Sequence, residues 1–371
     1  MIDQERKAAR LSKLTAAMDG AGLDAVALVP GANFYYLTGV HLHLMERPTV
    51  LFVARDGSMH GAIPTLESAR WGQGAPEVNT TYWQDSDGFD DAFADVARRL
   101  KAERIGVEGQ LMRVFERDAL RSAFADARID NAHAAISRMR LVKDAEEVAI
   151  IEQAIAISER ALRTTIDAVV PGMSEVEIRS RLMTEMLAEG ADAPAFDTIV
   201  LARGASADPH GTPSPERRLE KGDPLLIDFG AAHGGYNADI TRTFFVGAVS
   251  DEHRAIYETV LAANETGRTI AAPGMTLHDL DTAVTERLRG SPFADMVLHK
   301  TGHGLGIEVH EAPQVMVGNR APIEPGMVFT IEPGLYRSGE IGVRIEDDVL
   351  ITEDGCRSLT GFERGLTVIG S

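Results

Sequence analysis

A single cysteine, Cys356, excludes any disulfide framework within the 371-residue chain. No stretch approaches the roughly 20 consecutive apolar residues of a membrane-spanning helix. The opening residues, MIDQERKAARLSKL, are charged and lack the apolar centre of a secretion signal. Positive charge is in deficit: 37 Lys and Arg stand against 56 Asp and Glu, a formal net charge of −19. Nucleic acid and anionic membrane are therefore disfavoured as partners, and the acid is compatible with bound cations. Together these absences predict a cytoplasmic protein.

What remains is ordinary globular composition, 44% hydrophobic and 25% charged. The length exceeds what one hydrophobic core comfortably serves, which predicts two domains. Residues 4–21 are expected to be helical, with Leu11, Leu14 and Met18 on one face and Gly20 and Gly22 at the end. DAVALV (24–29) reads as a short buried strand, and TVLFVARDG as a strand closed by Asp56-Gly57. Residues 60–130 alternate strand-like pieces (IPTL, RIGVE) with a helical one, FDDAFADVARRLKAE, giving a mixed α/β domain. From Asp144 to Ala168 the residues Val148, Ile151, Ile155, Leu162 and Ile166 recur at helical spacing. The boundary is placed before that helix, with domains at 1–131 and 132–371.

Within the second domain, VVPGMSEVE (169–177) resembles IAAPGMTLHD (270–279). Each ends a helix with Pro-Gly and restarts one at a hydroxyl cap. Ser174 with Glu177 fits a capping box, and Thr276 with Asp279 is a looser version. Either capping chemistry has converged, or the domain consists of two similar halves, each with helices and a hairpin.

The chemistry centres on LLIDFGAAHGGYNADITRTFFV (225–246), two alternating apolar runs around a Gly-rich turn. A two-residue turn at His233-Gly234 would set Asp228 directly opposite Asp239. Opposed residues have Cβ atoms roughly 5 Å apart, and like charges there are destabilising unless a cation separates them. Downstream, LHKTGHGLGIEVHEAP (298–313) holds His299, His303 and His310; MVFTIEPGLY (327–336) holds Glu332; GVRIEDDVLI (342–351) holds Arg344 and Glu346. A symmetric turn at Gly339 makes the last two a hairpin in which Glu332 faces Glu346. Four carboxylates and one imidazole suit two bridged ions about 3.5–4 Å apart. The oxygen-rich set favours Mn²⁺ over Zn²⁺, Co²⁺ or Fe²⁺.

Taken singly, each residue has a plainer reading. Asp228 is then a turn or edge residue, His303 a structural histidine among glycines, and Glu332 a strand end. Asp347 and Asp348 are a solvated acidic run. His233 reads as the hairpin tip, and His41, His43, His60, His133, His253 and His278 as surface or packing. The joint pattern is what points to metal.

The order Asp-x10-Asp, TGHGLGIEVHE, TIEPGLY, VRIEDD resembles the metallopeptidase family of methionine aminopeptidase, aminopeptidase P and prolidase. That resemblance implies a pita-bread catalytic domain of two pseudo-symmetric αβ halves. GLDAVALV and NFYYLTG resemble the extra N-terminal domain of the prolidase, aminopeptidase P and creatinase branch. Carried over by motif, Asp228 would chelate one ion, Asp239 and Glu346 would bridge both, and His303 and Glu332 would complete the second. His210 and His299 match substrate-side histidines, His310 the histidine that supports the carbonyl and tetrahedral intermediate, and Arg344 a supporting arginine. Relatives are commonly homodimers, with one subunit's N-terminal domain near the other's active site.

The resemblance implies cleavage of an Xaa-Pro bond in a dipeptide or short peptide. Water activated by two metals attacks, Glu332 relays its proton, and His310 polarises the carbonyl. One position departs from the pattern. Some archaeal dipeptidases of this branch carry Arg shortly after HE-x-P, where it meets a dipeptide carboxylate; here that residue is Gln314, with Arg320 nearby. The same scaffold also serves small metabolites, as in ectoine-derivative hydrolases, creatinase-like amidinohydrolases and dimethylsulfoniopropionate lyases. A non-enzymatic binding module would be expected to lose ligands, and all five ligand positions are filled.

Overall fold

The computed structural model describes residues 4–370. The chain forms two compact units that divide between Arg140 and Leu141. The short helix His133–Ser137 belongs to the first unit.

The first unit is built on a six-stranded mixed sheet. Its strands run, edge to edge, Asn79–Trp83, Met59–Pro64, Val50–Ala54, Ala25–Leu28, Arg104–Val107 and Arg128–Asn131. The central strand Ala25–Leu28 is buried along its whole length, as an uninterrupted apolar run requires. It pairs antiparallel to Val50–Ala54 and parallel to Arg104–Val107. The expected first helix is Gln4–Ala21; Leu14 and Met18 are buried, while Leu11 is only partly so. FDDAFADVARRLKAE yields the helix Asp90–Leu100, whose Phe93 meets Phe52 edge-on at 6.2 Å between ring centres.

The second unit has two hydrophobic cores, one per half. The first lies between the helices Ala145–Ile166 and Glu175–Ala188 and the strands Ile199–Ala202, Pro224–Phe229 and Ile240–Val246. The second lies between the helices Asp251–Ile270 and Leu277–Arg289 and a sheet containing Val328–Ile331 and Asp347–Thr352. Each fully buried Leu, Ile or Phe stabilises by roughly 1.5–3 kcal/mol. Asp144 caps the first helix through the N–H groups of Glu146 and Glu147.

The internal repeat is structural. Ser174 and Thr276 both cap helices, accepting from the N–H of Glu177 and Asp279. Ser174 bridges Arg218, and Thr276 bridges Pro322. Gly172 N–H donates to Leu219 and Leu219 N–H to Met173; likewise Gly274 donates to Ile323 and Ile323 to Met275. Convergent capping alone would not reproduce these long-range bonds, so the two copies mark equivalent places in two αβ halves. Among the described residues no helix is long and apolar enough to cross a membrane.

Candidate metal centre

The first hairpin forms, but in a different register from the expected one. Its tip is Gly234-Gly235, with φ of 57° and 83°, as a mirror-image turn requires. His233 pairs with Tyr236 instead of entering the turn. Asp228 therefore faces Thr241, not Asp239. The displacement is two residues, so Asp228 and Asp239 stay on one face of the sheet as diagonal neighbours.

The second hairpin has the expected register. Gly334–Arg337 pairs with Ile341–Arg344, and Val328–Ile331 with Asp347–Thr352, in one continuous alignment. Glu332 and Glu346 fall in the gap between these two ladders. Their N–H groups turn elsewhere, Glu332 to Thr301 O at 2.8 Å and Glu346 to Thr241 O at 3.1 Å. The splayed ladder frees both carboxylates to point into the space beside Asp228 and Asp239.

His303 comes from the short strand Gly302–Gly304, where the pairing shifts between His303 and Gly304. A bulge of this kind re-aims a side chain. Gly304 is required there because a Cβ would lie 2.1 Å from Ala312 O. The imidazole Nδ1 sits 3.2 Å from Gly304 O, and Nε2 is 3.3 Å from Glu332 and 3.7 Å from Asp239. A ring held by the carbonyl of the next residue and aimed at carboxylates is oriented as a ligand.

Three overlapping sets of side chains bring possible ligand atoms within 4.8 Å of one another: Asp228, Asp239 and Glu346; His303, Glu332 and Glu346; Asp239, His303 and His310. All five expected ligands are gathered. His310 joins them, its ring 3.9 Å from that of His303. Its loop is gripped by Asn237, whose side chain donates to the carbonyls of Gly306 and Ile307.

The electrostatics call for cations. Burial, with Glu346 and Asp228 nearby, pushes the Asp239 carboxyl well above its usual range. Burial and the charge of Glu332 do the same to Glu346. Glu332 rises to about 7, chiefly through burial. Burial drives His303 down to about 3, so the ring is neutral and able to coordinate. Asp228 Oδ1 is buried with no hydrogen-bond partner. Divalent ions would satisfy that oxygen and the crowded carboxylates together, so the donor set fits them.

Arg344 ties the centre to its support. Its Nη2 pairs with Asp228 Oδ2, Nε donates to Thr241 Oγ1 at 3.0 Å, and Nη1 donates to Tyr336 Oη at 2.8 Å. Thr241 in turn donates to Glu346 at 2.6 Å. Tyr336 also meets His299 Nε2 at 2.8 Å, while His299 Nδ1 lies 2.8 Å from Lys300 O. Burial, with Arg344 adding, lowers His299 to about 4. His299 is thus neutral and fully engaged, a support for Tyr336. Thr241 and Tyr336 were missed by sequence reasoning. Thr241 had a signal, since it lies two residues beyond Asp239 and so on the same strand face.

Asp347 and Asp348 are not a solvated run; both are fully buried. Asp347 binds Arg242 and Arg364, each at 2.7 Å, and Asp348 accepts the Asp239 N–H at 3.1 Å. They hold the ligand-bearing strands in place.

A cavity of about 830 Å³ opens on the centre. His210, His299, Lys300, His310 and Arg344 line it with the ligands, and Phe196, Ile199, Leu298 and Val309 give it an apolar wall. The loop bearing His210 is anchored by buried Glu175, which accepts from the N–H groups of Ala202 and Ser214 and binds Arg217. Arg320 is exposed and not part of the cavity lining.

Residues 149–353 match metallopeptidase family M24, and residues 10–142 match the creatinase/prolidase N-terminal domain. The chain belongs to metallopeptidase family M24. It is 35% identical over 362 residues to an Xaa-Pro dipeptidase of Pyrococcus furiosus, covering 96% of this chain and 99% of that protein. The dipeptidase PepE from Mycobacterium ulcerans superposes with a TM-score of 0.92 at 32% identity, covering 99% of each chain. An X-Pro aminopeptidase from Thermotoga maritima superposes with a TM-score of 0.84 at 33% identity, covering 97% of this chain and 99% of that one. These likenesses bear out the two-part α/β architecture, with a pita-bread catalytic unit in the M24 segment.

Proposed function

We propose that this enzyme is a dinuclear metal hydrolase that cleaves the Xaa-Pro bond of dipeptides or short peptides. The observation that carries the reading is the convergence of Asp228, Asp239, His303, Glu332 and Glu346 on one cavity with an apolar wall. Relatives named Xaa-Pro dipeptidase and X-Pro aminopeptidase, similar over nearly the whole chain, support the substrate class. The five side chains would hold two divalent ions, Mn²⁺ by the predominance of oxygen donors. Ions so held supply a nucleophile near neutral pH and polarise the scissile carbonyl.

The protein's own groups do the rest. Asp239 and Glu346, each a member of two of the ligand sets, would be shared between the ions. Glu332, which lines the cavity, takes the proton of the attacking water and passes it to the proline nitrogen, which has no hydrogen of its own. His310 donates to the carbonyl oxygen as negative charge develops there. His210 orients the substrate from the facing loop, and Phe196, Ile199, Leu298 and Val309 shelter the proline ring. Arg344, His299 and Tyr336 keep Asp228 in place. The reading extends, on the family resemblance, to a cytoplasmic homodimer, which light scattering tests for assembly.

A substrate panel with added Mn²⁺ decides the reading: Xaa-Pro dipeptides, longer Xaa-Pro peptides, creatine and amidated amino-acid derivatives. Turnover of proline peptides is expected. Failure on all of them, alongside turnover of a metabolite, would overturn it.

A further inference from the structure

We propose that Lys300, steadied by Gln314, anchors an anionic end of the substrate, which makes the free C-terminal carboxylate of a dipeptide the preferred group. The inference rests on the peptidase reading above and narrows it.

Two cations line the cavity, Arg344 and Lys300, and they are differently occupied. Every arm of the Arg344 guanidinium is engaged, by Asp228, Thr241 and Tyr336. Lys300 Nζ is held by one neutral atom, the side-chain oxygen of Gln314. An ammonium has three donors, so donors remain for a ligand. The chain treats its other inward lysine in this unit differently. Lys143 is buried and paired with Glu311 at 2.8 Å, a closed structural pair.

Gln314 is oriented for its task. Its Nε2 donates to Glu311 O at 3.1 Å, which turns its oxygen toward Lys300. Gln314 also stands directly opposite His303 in the strand pairing, so the ammonium is held on the side of the ligand cluster. Lys300 lines the same cavity as His303, His310 and Glu332. A substrate whose carbonyl lies at the ligand cluster thus has a cation within electrostatic reach.

Charge complementarity selects the occupant. The chain carries a net charge of −19, of which two divalent ions at the cluster would offset only four. An anionic substrate is repelled by such a protein unless a specific cation receives it. A partly buried ammonium facing a neutral amide gains nothing comparable, so a peptide that continues beyond proline forfeits the contact. Leu298 and Val309, also in the lining, offer apolar surface for the ring next to that carboxylate.

The test compares an Xaa-Pro dipeptide with its C-terminal amide on the Mn²⁺-loaded enzyme, in wild type, Lys300→Met, Lys300→Arg and Gln314→Glu. Wild type is expected to prefer the free acid by about 10- to 100-fold in kcat/KM, through KM, the size of one charge-assisted hydrogen bond. Lys300→Met should bring the ratio close to one, Lys300→Arg should keep it, and Gln314→Glu should lower it by pairing with the lysine. A wild-type ratio near one, or a Lys300→Met variant that loses acid and amide equally, would overturn the proposal. Calorimetry with N-acetylproline and N-acetylprolinamide reads the same preference without turnover. If no proline peptide is cleaved, the peptidase reading falls, and equal binding of these two probes would then sink the anion anchor as well.

Discussion

Arg344 and Asp228 join the two halves of the catalytic unit at the ligand cluster, the guanidinium reaching from the second hairpin to a carboxylate of the first. The pair leaves Asp228 one oxygen free of protein partners. Arg344 therefore fixes which oxygen is offered to a metal. Replacing it with Met should cut metal affinity by about 10- to 100-fold, the usual cost of losing an outer partner of a ligand. Metal titration by calorimetry, with turnover measured at saturating Mn²⁺, checks this; unchanged affinity would refute the role.

Asp239 and Glu346 sit where the ligand sets overlap. Asp239→Asn and Glu346→Gln each remove a negative charge from the shared region while keeping its shape. Both variants are expected to lose activity and to bind fewer ions than the two per chain expected of the wild type. Elemental analysis of protein purified without chelator measures the stoichiometry. Near wild-type turnover in either variant would show the assignment to be wrong.

Much of this centre was legible because face, not register, decides what gathers. The first hairpin pairs two residues away from the expected alignment, since its tip takes Gly234 and Gly235 rather than His233 and Gly234. A shift of two preserves the side-chain face. Asp228 and Asp239 therefore met despite the wrong partner, whereas a shift of one would have separated them. The Gly339 turn was symmetric, and its register was read correctly. Lys300 and Tyr336 reach the site through packing between distant segments, for which neither spacing nor periodicity carries a signal. Asp347 and Asp348 were hidden because a run of three acids looks solvated until Arg242 and Arg364 are placed beside it.

The crowded carboxylates make metal-free stability depend on pH. Glu332 rises to about 7 in the fold, chiefly through burial, and Asp239 and Glu346 are also raised well above their usual range by burial and their neighbours. A raised folded value means that the stabilising protonated state is lost as pH increases through it. His303 and His299, lowered to about 3 and about 4 by burial, act oppositely, but only below the ordinary histidine value near 6.5. Chelator-treated protein should therefore lose Tm as pH rises from about 6.5 through about 7. Added Mn²⁺ should restore it at the upper end, because cations compensate the ionised carboxylates. A metal-free Tm that holds steady or rises over that range would contradict this account.

Asp347 offers a test of the scaffold apart from the chemistry. It is fully buried and holds Arg242 and Arg364 at 2.7 Å each, with Arg268 at 3.3 Å. Burial alone would raise its pKa, but Arg242 and Arg364 outweigh that and hold it below the usual aspartate range. Arg242 also donates to the carbonyl of Glu346 at 2.6 Å, so the cluster braces a ligand-bearing strand. Asp347→Ala would leave the buried Arg242 guanidinium, and the partly exposed Arg364, without their anion, at a cost of about 3–5 kcal/mol. Urea unfolding of the Mn²⁺-loaded variant at neutral pH measures it as a lowered midpoint at unchanged slope. A loss below about 1 kcal/mol would mean that carbonyls such as those of Phe362 and Glu363, which also accept from Arg242, carry the support without the carboxylate.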